Sequence, residues 1–479
     1  MEGVNLDSIT AVVLAAGQGK RMISGLPKVM HRICGRPLLH LVFDSLKGAG
    51  ISKVVAVVGY GSEHIFSYFK DQGKDQGITD GADGIEFVNQ PEQLGSGHAV
   101  MVAAEAMRLA EFNGKVIVIN GDMPMVKPET ISALIETHGK YNNAVTIVSA
   151  DLPDPFGLGR VIRKSGSYGS LERIVEQKDA SEEVLGINEV NAGVYCFDSQ
   201  RLVEALGELK NDNSQGEYYL TDTIGILSSR GERAGVYKLP DYKESLGVND
   251  RVELSRIDEL MRGRICKELM LDYGVTIVDP QNTYIDLGVE IQQDTVIYPG
   301  CVIEGNTRIG SGCIIGPNTR VSDSVIEDGV KVECSVLNKA HVRRNSTVGP
   351  FAYLRPDTVV GENARIGDFV ELKNSNIGDG TKIPHLSYVG DSDVGSGTNI
   401  GCGVITCNYD GRKKYRTTIG NNVFVGSNTN LIAPVSLGDG SYVASGSTVT
   451  DDVPEGALAV ARGRQTNKEG WVEKRAERG

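Results

Sequence analysis

The stretch VRRNSTVGPFAYLRPDTVVGENARIGDFVEL, residues 342–372, carries Val342, Val348, Leu354, Val360, Ile366 and Leu372 at steps of six. Neither the 3.6-residue period of a helix nor the two-residue period of a lone strand produces such a step. It reads as a hexapeptide repeat in which three hexapeptides form one triangular coil, each aliphatic residue on the axis and a turn at each corner. Working outward, the same step picks out Ile297, Ile303, Ile309, Ile315 and Val321 upstream, and extends the central run back through Val336 to Val330. Downstream it resumes at Ile377, Ile383 and Val389, then Val394 and Ile400, and finally Ile419, Val425, Leu431, Leu437, Val443 and Val449. Gly follows the stepped aliphatic at twelve positions, Gly349, Gly361, Gly367 and Gly378 among them, which predicts a corner needing positive φ or tight space. These aliphatics specify a solenoid core and no site. The interruption Ile405–Thr418 reads as an insertion outside the coil, either a tolerated decoration or a functional loop.

Before about residue 250 the pattern is different. Apolar runs at Ala11–Ala16, Val54–Val58, Ile85–Val88, Val116–Ile119 and Ala144–Val148 alternate with helix-like stretches at Leu38–Lys47, His98–Leu109 and Glu129–His138. That order predicts an α/β fold with a Rossmann-like sheet. Between the two patterns, residues 251–271 place Leu254, Ile257, Leu260, Met261, Ile265 and Leu269 at helical spacing. The predicted organisation is therefore an α/β domain over 1–251, a linker helix over 252–272 and a parallel β-helix with a C-terminal tail over 273–479.

Composition narrows the ligands. The 479 residues include 59 Gly and only 6% aromatics; no Gly-X-Y period runs through them, which excludes a collagen, and the 40% apolar content argues against disorder. A net charge of −13, from 62 acidic and 49 basic residues, argues against nucleic-acid or membrane partners. Anionic ligands must then be held by a few placed cations and backbone N–H groups. The start of the chain lacks a basic n-region and the run Ala11–Ala16 is too short for a membrane span, so the expectation is a cytoplasmic protein. Eight cysteines without a C-x-x-C pair or clustered His predict reduced thiols and neither a disulfide nor a zinc framework. The Gly- and Asp-rich segment 71–84 reads as a solvated loop.

The first apolar run leads into Ala15-Ala16-Gly17-Gln18-Gly19-Lys20-Arg21-Met22, with Pro27-Lys28 after it. A Gly-rich turn after the first strand lets backbone N–H groups approach phosphates, although alone it reads equally as an ordinary strand-to-helix turn. Arg21 and Lys28 add the cations that triphosphate chemistry requires. The run Val116–Asn120 ends in Gly121-Asp122, and Asp122 suits either a Mg²⁺ ligand or a turn cap. In the coil, His385 lies two residues past a stepped aliphatic and so off the axis. It is a bland surface residue or the base that removes the proton from an amine attacking a thioester.

Taken together, LAAGQGKRM, Pro27-Lys28 and GDMP resemble the nucleotidyltransferases that couple a sugar 1-phosphate to a nucleoside triphosphate. The segments QPEQLGSGHA (90–99), GLGR (157–160), IVEQKDA (174–180), NAG (191–193), GEYYLTD (216–222) and GVNDR (247–251) narrow the resemblance. With PHLSYVGD (384–391), NIGCG (399–403), ITCNYDG (405–411) and VFVGS (423–427), they are similar to the bifunctional uridylyltransferase/N-acetyltransferases of bacterial UDP-N-acetylglucosamine synthesis. The resemblance covers essentially the whole chain. It implies a left-handed β-helix, a homotrimer, Mg²⁺, and UTP and acetyl-CoA as cosubstrates, with glucosamine 1-phosphate acetylated and the N-acetylglucosamine 1-phosphate then uridylylated.

It also implies residue roles. Leu14, Ala15, Ala16, Gly17, Gln90, Gly95 and Ser96 would hold the uridine nucleotide, with Arg21 and Lys28 at its phosphates. Gly159, Glu176, Asn191 and Asn249 would hold the amino sugar, and Asp122 and Asn249 the Mg²⁺. In the second half His385 would be the general base, and Arg355, Lys373, Tyr388 and Asn399 would bind the sugar phosphate. Cys402, Asn408, Tyr409, Ser427, Ser445 and Arg462 would line the acetyl-CoA path. Four positions depart from the family pattern: Lys20 stands where Thr is usual, Asn120 where other residues occur, and Cys402 and Ser445 where Ala is common.

Overall fold

The computed structural model describes residues 8–75, 84–164 and 171–476. The chain divides into two compact units, Met1–Met261 and Arg262–Gly479.

The first unit is built on nine strands: β1 Ile9–Ala15, β2 Val54–Val58, β3 Ile85–Asn89, β4 Lys115–Asn120, β5 Val145–Asp151, β6 Arg160–Arg163, β7 Leu171–Val175, β8 Glu189–Asp198 and β9 Ala234–Lys238. Their order across the sheet is β9-β5-β8-β4-β1-β2-β3, with β6 joining β8 to β7. Strands β4, β1, β2 and β3 run parallel. Both faces are covered, which is why β1, β2 and β4 read as continuous apolar runs. Ala11, Val13 and Ala15 pack into one core with Leu39, Val42 and Leu46, while Val12 and Ala16 pack into the other with Ala99, Val100 and Ala103. The long strand β8 lies antiparallel to both β4 and β5, so the Rossmann-like sheet is mixed. Two expectations need correction. The helix expected to reach Leu109 covers Ser96–Ala106, because Arg108 turns left-handed at φ 49° and Leu109 opens a 3₁₀ turn. Of the expected loop 71–84, residues 71–75 complete the helix Ser62–Asp75, and 76–83 lie outside the described residues.

A helix spans Arg251–Leu271. The second unit is a parallel coil whose strands, two to four residues each, stack into sheets of 11, 10 and 9 strands. Registers such as Val348↔Ile366 and Leu354↔Leu372 place each stepped aliphatic directly over the one a full coil away. The step of six is broken at the start of the central run. Val336 is 41% exposed and its neighbour Leu337 is fully buried, while Val332, not Val330, occupies the axial register by pairing with Val348. The axial series runs Val332, Leu337, Val342, so two repeats here have five residues; a corner can lose one residue without moving the strands that stack. Thr406 fills an axial position inside the expected interruption and is buried.

The glycine phase has a steric cause. Of the twelve glycines behind a stepped aliphatic, only Gly316 and Gly349 have positive φ. At most of the others a Cβ would strike the next coil: at Gly367 it would enter the Pro384 carbonyl, and at Gly395 it would lie 2.5 Å from the Gly420 carbonyl carbon. The left-handed corner sits three residues before the aliphatic and is held by Asn345, Asp357 and Asn363, residue types that tolerate it. Directly after that corner comes a small buried hydroxyl. Ser346 Oγ donates to the Gly361 carbonyl at 2.6 Å and accepts from Ala364 N at 2.9 Å, satisfying corner groups that water cannot reach.

The corrected register is tested by adjacent truncations. Leu337→Ala is expected to cost about 2–5 kcal/mol, whereas Val336→Ala stays within about 0.5 kcal/mol. Thermal unfolding followed by circular dichroism checks this; equal effects would reject the register.

Candidate active sites

In the first unit the carboxyl edge of β1 and β4 gathers the expected residues. Gly121 N donates to the Leu14 carbonyl at 2.9 Å, locking the two strand ends together. Gly19, at φ 64°, lies so close to Lys28 that a Cβ there would sit 2.6 Å from the lysine Cβ, so the Gly-rich turn packs directly against Lys28. Lys28 Nζ donates to Asp122 Oδ2 and, at 3.3 Å, to Asn249 Oδ1. Two oxygens from separate loops thus converge on a single cation position. Asn249 is itself held by its backbone N–H, which donates to Glu253 Oε2 at 2.6 Å. This oxygen-only donor set fits Mg²⁺, which takes one or two protein oxygens and completes its shell with phosphate and water.

Ala15, Ala16 and Gln90 are buried, and a Cβ on Gly17 would meet nothing within 4 Å. Gln90 Nε2 donates to the Gly95 carbonyl at 3.3 Å, and Ser96 Oγ accepts from Leu220 N at 3.1 Å. Gly95, at φ 106°, allows Tyr218 O within 2.6 Å of where a Cβ would be. Gln93, quoted within the QPEQLGSGHA segment but given no role there, donates to the Ala16 carbonyl at 2.8 Å and ties that segment to the Gly-rich turn. Arg21 lies exposed on the 3₁₀ turn Lys20–Met22, and no ion pair holds it among the described residues.

Gly159, Glu176 and Asn191 form a second cluster. Asn191 N donates to the Gly159 carbonyl at 2.9 Å, and a Cβ on Gly159 would lie 3.2 Å from the Glu176 carboxylate. Burial pushes the Glu176 carboxyl above the usual range, with the Thr221 hydroxyl donating to it at 3.0 Å in partial opposition. Asn120 is wedged against Gly193, where any Cβ would collide with its amide.

In the second unit, stacking brings together residues one coil apart. Arg355, Lys373 and Asp391 line one side of a cavity of about 560 Å³, closed by Asn374, Lys414 and Arg416. Lys373 Nζ lies 3.4 Å from Asp391 Oδ2, Asn374 donates to Asp391 Oδ1 at 2.6 Å, and Asn408 donates to Asp391 Oδ2. Asn408 also reaches the Tyr388 hydroxyl at 3.5 Å, which links Tyr388 to the cavity. Asn399 belongs to a different sheet of the coil, so a single chain does not bring it to this cavity. The insertion supplies what the sequence reading passed over. Lys414 arrives on it and faces Lys373, whose hydrogen bond and positive charge push the Lys414 ammonium down. Arg416 is anchored by Asp393.

His385 stands outside this cavity, at the end of a strand in the sheet that carries Asn399, before the corner that leads to Tyr388. Its Nδ1 lies 2.6 Å from Asp368 Oδ1. Continuing along the same corner, Cys402, Ser427 and Ser445 follow on successive coils, where Asn428 N donates to the Cys402 carbonyl and Gly446 N to the Ser427 carbonyl, each at 2.8 Å. All three side chains are exposed, as are Tyr409 and Arg462. The eight cysteines are free, and burial pushes the Cys407 thiol up, opposite to what an activated nucleophile needs. The pairs Asp368/His385 and Lys373/Asp391, 17 and 18 residues apart, were findable by counting one coil along the chain.

Residues 11–220 match the MobA-like NTP transferase domain, residues 336–431 the GMPPB C-terminal domain, and residues 288–323 and 416–451 the bacterial transferase hexapeptide repeats. The coil is therefore the left-handed β-helix that hexapeptide repeats build. A UDP-glucose pyrophosphorylase crystal structure complexed with UDP-glucose covers 53% of this chain and 98% of its own, with a TM-score of 0.44 at 19% identity. Bifunctional protein GlmU of Clostridium botulinum strain 657 is 50% identical over 97% of this chain and 98% of its own length. The protein of the same name from Acetivibrio thermocellus is 50% identical over 98% of each, and that of Shouchella clausii 48% identical over 97% of this chain. With such identity along nearly its entire length, the chain belongs to the bifunctional GlmU family.

Proposed function

We infer that this chain makes UDP-N-acetylglucosamine in two steps at two separate sites. On the coil, the amine of glucosamine 1-phosphate attacks the thioester carbonyl of acetyl-CoA; the C–N bond forms, the C–S bond breaks and CoA leaves as the thiol. His385 takes the amine proton through Nε2 and passes it to the departing sulfur. The cationic cavity of Arg355, Lys373 and Lys414 receives the sugar phosphate, with Tyr388 and Asn399 as further contacts, and the corner column Cys402, Ser427 and Ser445, with Asn408, Tyr409 and Arg462, carries acetyl-CoA. At the N-terminal sheet, a phosphate oxygen of N-acetylglucosamine 1-phosphate attacks the α-phosphorus of UTP and pyrophosphate leaves.

There the protein's work is positioning and neutralisation. Leu14 to Gly17 with Gln90, Gly95 and Ser96 seat the nucleotide, while Gly159, Glu176, Asn191 and Asn249 seat the sugar. Lys28 moves from Asp122 onto the phosphates, with Arg21 beside it. Asp122 and Asn249 would hold Mg²⁺, which supplies charge neutralisation on the triphosphate. The observation that carries the reading is the convergence of Asp122 and Asn249 oxygens on Lys28 Nζ in a chain whose family pairs this half with an acetyltransferase half.

We assign a homotrimer built through the coil. Its support is an exposed apolar ridge: Phe351 and Phe369, 57% and 58% exposed, stack with centroids 5.4 Å apart, and Leu386 continues the ridge beside His385. All three hold positive φ, a cost for bulky side chains that their exposure in one chain does not offset. No helix among the described residues is long and apolar enough to cross a membrane. A cytoplasmic location follows from substrates that are cytoplasmic metabolites.

Three outcomes test these assignments. His385→Ala lowers CoA release about 10²- to 10⁴-fold and leaves pyrophosphate release intact, whereas Asp122→Ala does the reverse; loss of both activities in either variant would reject independent sites. Chelation of Mg²⁺ by EDTA abolishes pyrophosphate release while CoA release continues. Phe351→Glu combined with Phe369→Glu lowers the mass measured by analytical ultracentrifugation from three chains to one; an unchanged trimer would remove the ridge from the interface.

A further inference from the structure

Asp368 and His385 are Cα partners in the parallel ladder between the strands Arg365–Asp368 and Lys382–His385. Side chains at partner positions of a parallel pair point the same way, and these two project outward, 39% and 52% exposed. Asp368 Oδ1 meets His385 Nδ1 at 2.6 Å. The backbone around the pair is fixed independently of that contact: Leu386 N donates to the Asp368 carbonyl at 2.9 Å, and Ser387 Oγ donates to the His385 carbonyl at 2.9 Å. Gly367, next to Asp368, lets the two coils approach so closely that a Cβ there would enter the Pro384 carbonyl.

An ion pair this exposed adds little to folding. Its consequence lies in the imidazole. An ionised carboxylate can only accept, so it holds the proton on Nδ1 and leaves Nε2 with its lone pair outward. The hydrogen bond from His385 holds the Asp368 carboxyl below the usual carboxylate range, so it stays ionised wherever the imidazole works as a base. The other titratable or charged groups on the packed strands are Arg365 on the preceding coil and Lys382 on the same strand, with the Cys402 thiol two residues past the strand Asn399–Ile400 on the following coil.

We propose that Asp368 is the positioning residue for acetyl transfer: it sets the His385 tautomer with Nε2 free to accept the amine proton, and stabilises the imidazolium that forms. No bond to Asp368 is made or broken, and the proton passes from amine to Nε2 and on to the CoA sulfur. This rests on His385 being the base, and the experiment separates the two claims.

Wild type, Asp368→Asn, Asp368→Ala, His385→Ala and the Asp368→Ala/His385→Ala double variant are assayed for CoA release across pH, with pyrophosphate release as the control for folding. In Asp368→Asn an amide oxygen still accepts from Nδ1 but the charge is gone; in Asp368→Ala both are lost. Expected is a fall in kcat of about ten- to a hundredfold in Asp368→Ala, a smaller fall in Asp368→Asn, and KM for glucosamine 1-phosphate within about threefold of wild type. In both, the acid limb of kcat/KM moves to lower pH, because losing the carboxylate disfavours the charged imidazole. The double variant is no slower than His385→Ala, as for two groups acting as one. Asp368→Ala within twofold of wild type and with an unmoved acid limb, beside an inactive His385→Ala, overturns the proposal alone. An active His385→Ala overturns the assignment of the base.

Discussion

The coil depends on backbone stacking across one turn, and both of its functional clusters inherit that constraint. Parallel pairing puts Val348 over Ile366 and Leu354 over Leu372, and the same stacking puts Asp368 over His385 and brings Lys373 to Asp391, one residue past its ladder partner Gly390. Chemistry on this half of the molecule is therefore written in columns. A side chain's partners are the residues one coil before and after it, and its sequence neighbours face elsewhere. The close approach is permitted by glycine at positions such as Gly367 and Gly395, where the neighbouring backbone leaves no room for a methyl group.

The N-terminal unit solves a different problem. In an acidic chain, sparse cations and oxygens from separate loops meet at one sheet edge, the place where α/β sheets hold phosphates. Lys28 bridges Asp122 and Asn249 and offsets the carboxylate's charge at that edge. The buried Glu176 carboxyl, held by the Thr221 hydroxyl, is the costlier element, since burial disfavours its ionised form. A buried polar acceptor of this kind is suited to discriminating among hydroxyl-bearing ligands.

Much of this was legible before any coordinates. The step of six from Val342 to Leu372 announced the solenoid because an axial side chain must recur once per side of a triangle. It misassigned Val330 and Val336 because a corner can shed a residue while the strands keep their stack, so the linear count drifts where the spatial one does not. The Gly-rich turn, Lys28 and Asp122 were visible as motifs, and their meeting follows from strand ends sharing one edge of a sheet. Lys414 was less visible, since it enters on an insertion that obeys no period.

The sequence by itself determined the period, the alternation of strand and helix, and the residue types able to carry phosphate and proton chemistry, because each is a local property of the chain. Only the tertiary structure decided partnership outside that period, as between Lys28 and Asn249. The reason is distance along the chain. Contacts such as Lys28–Asn249, across 221 residues, arise from how loops return to a sheet edge, and no local pattern encodes them, whereas the 17-residue pair Asp368/His385 follows the coil's own period.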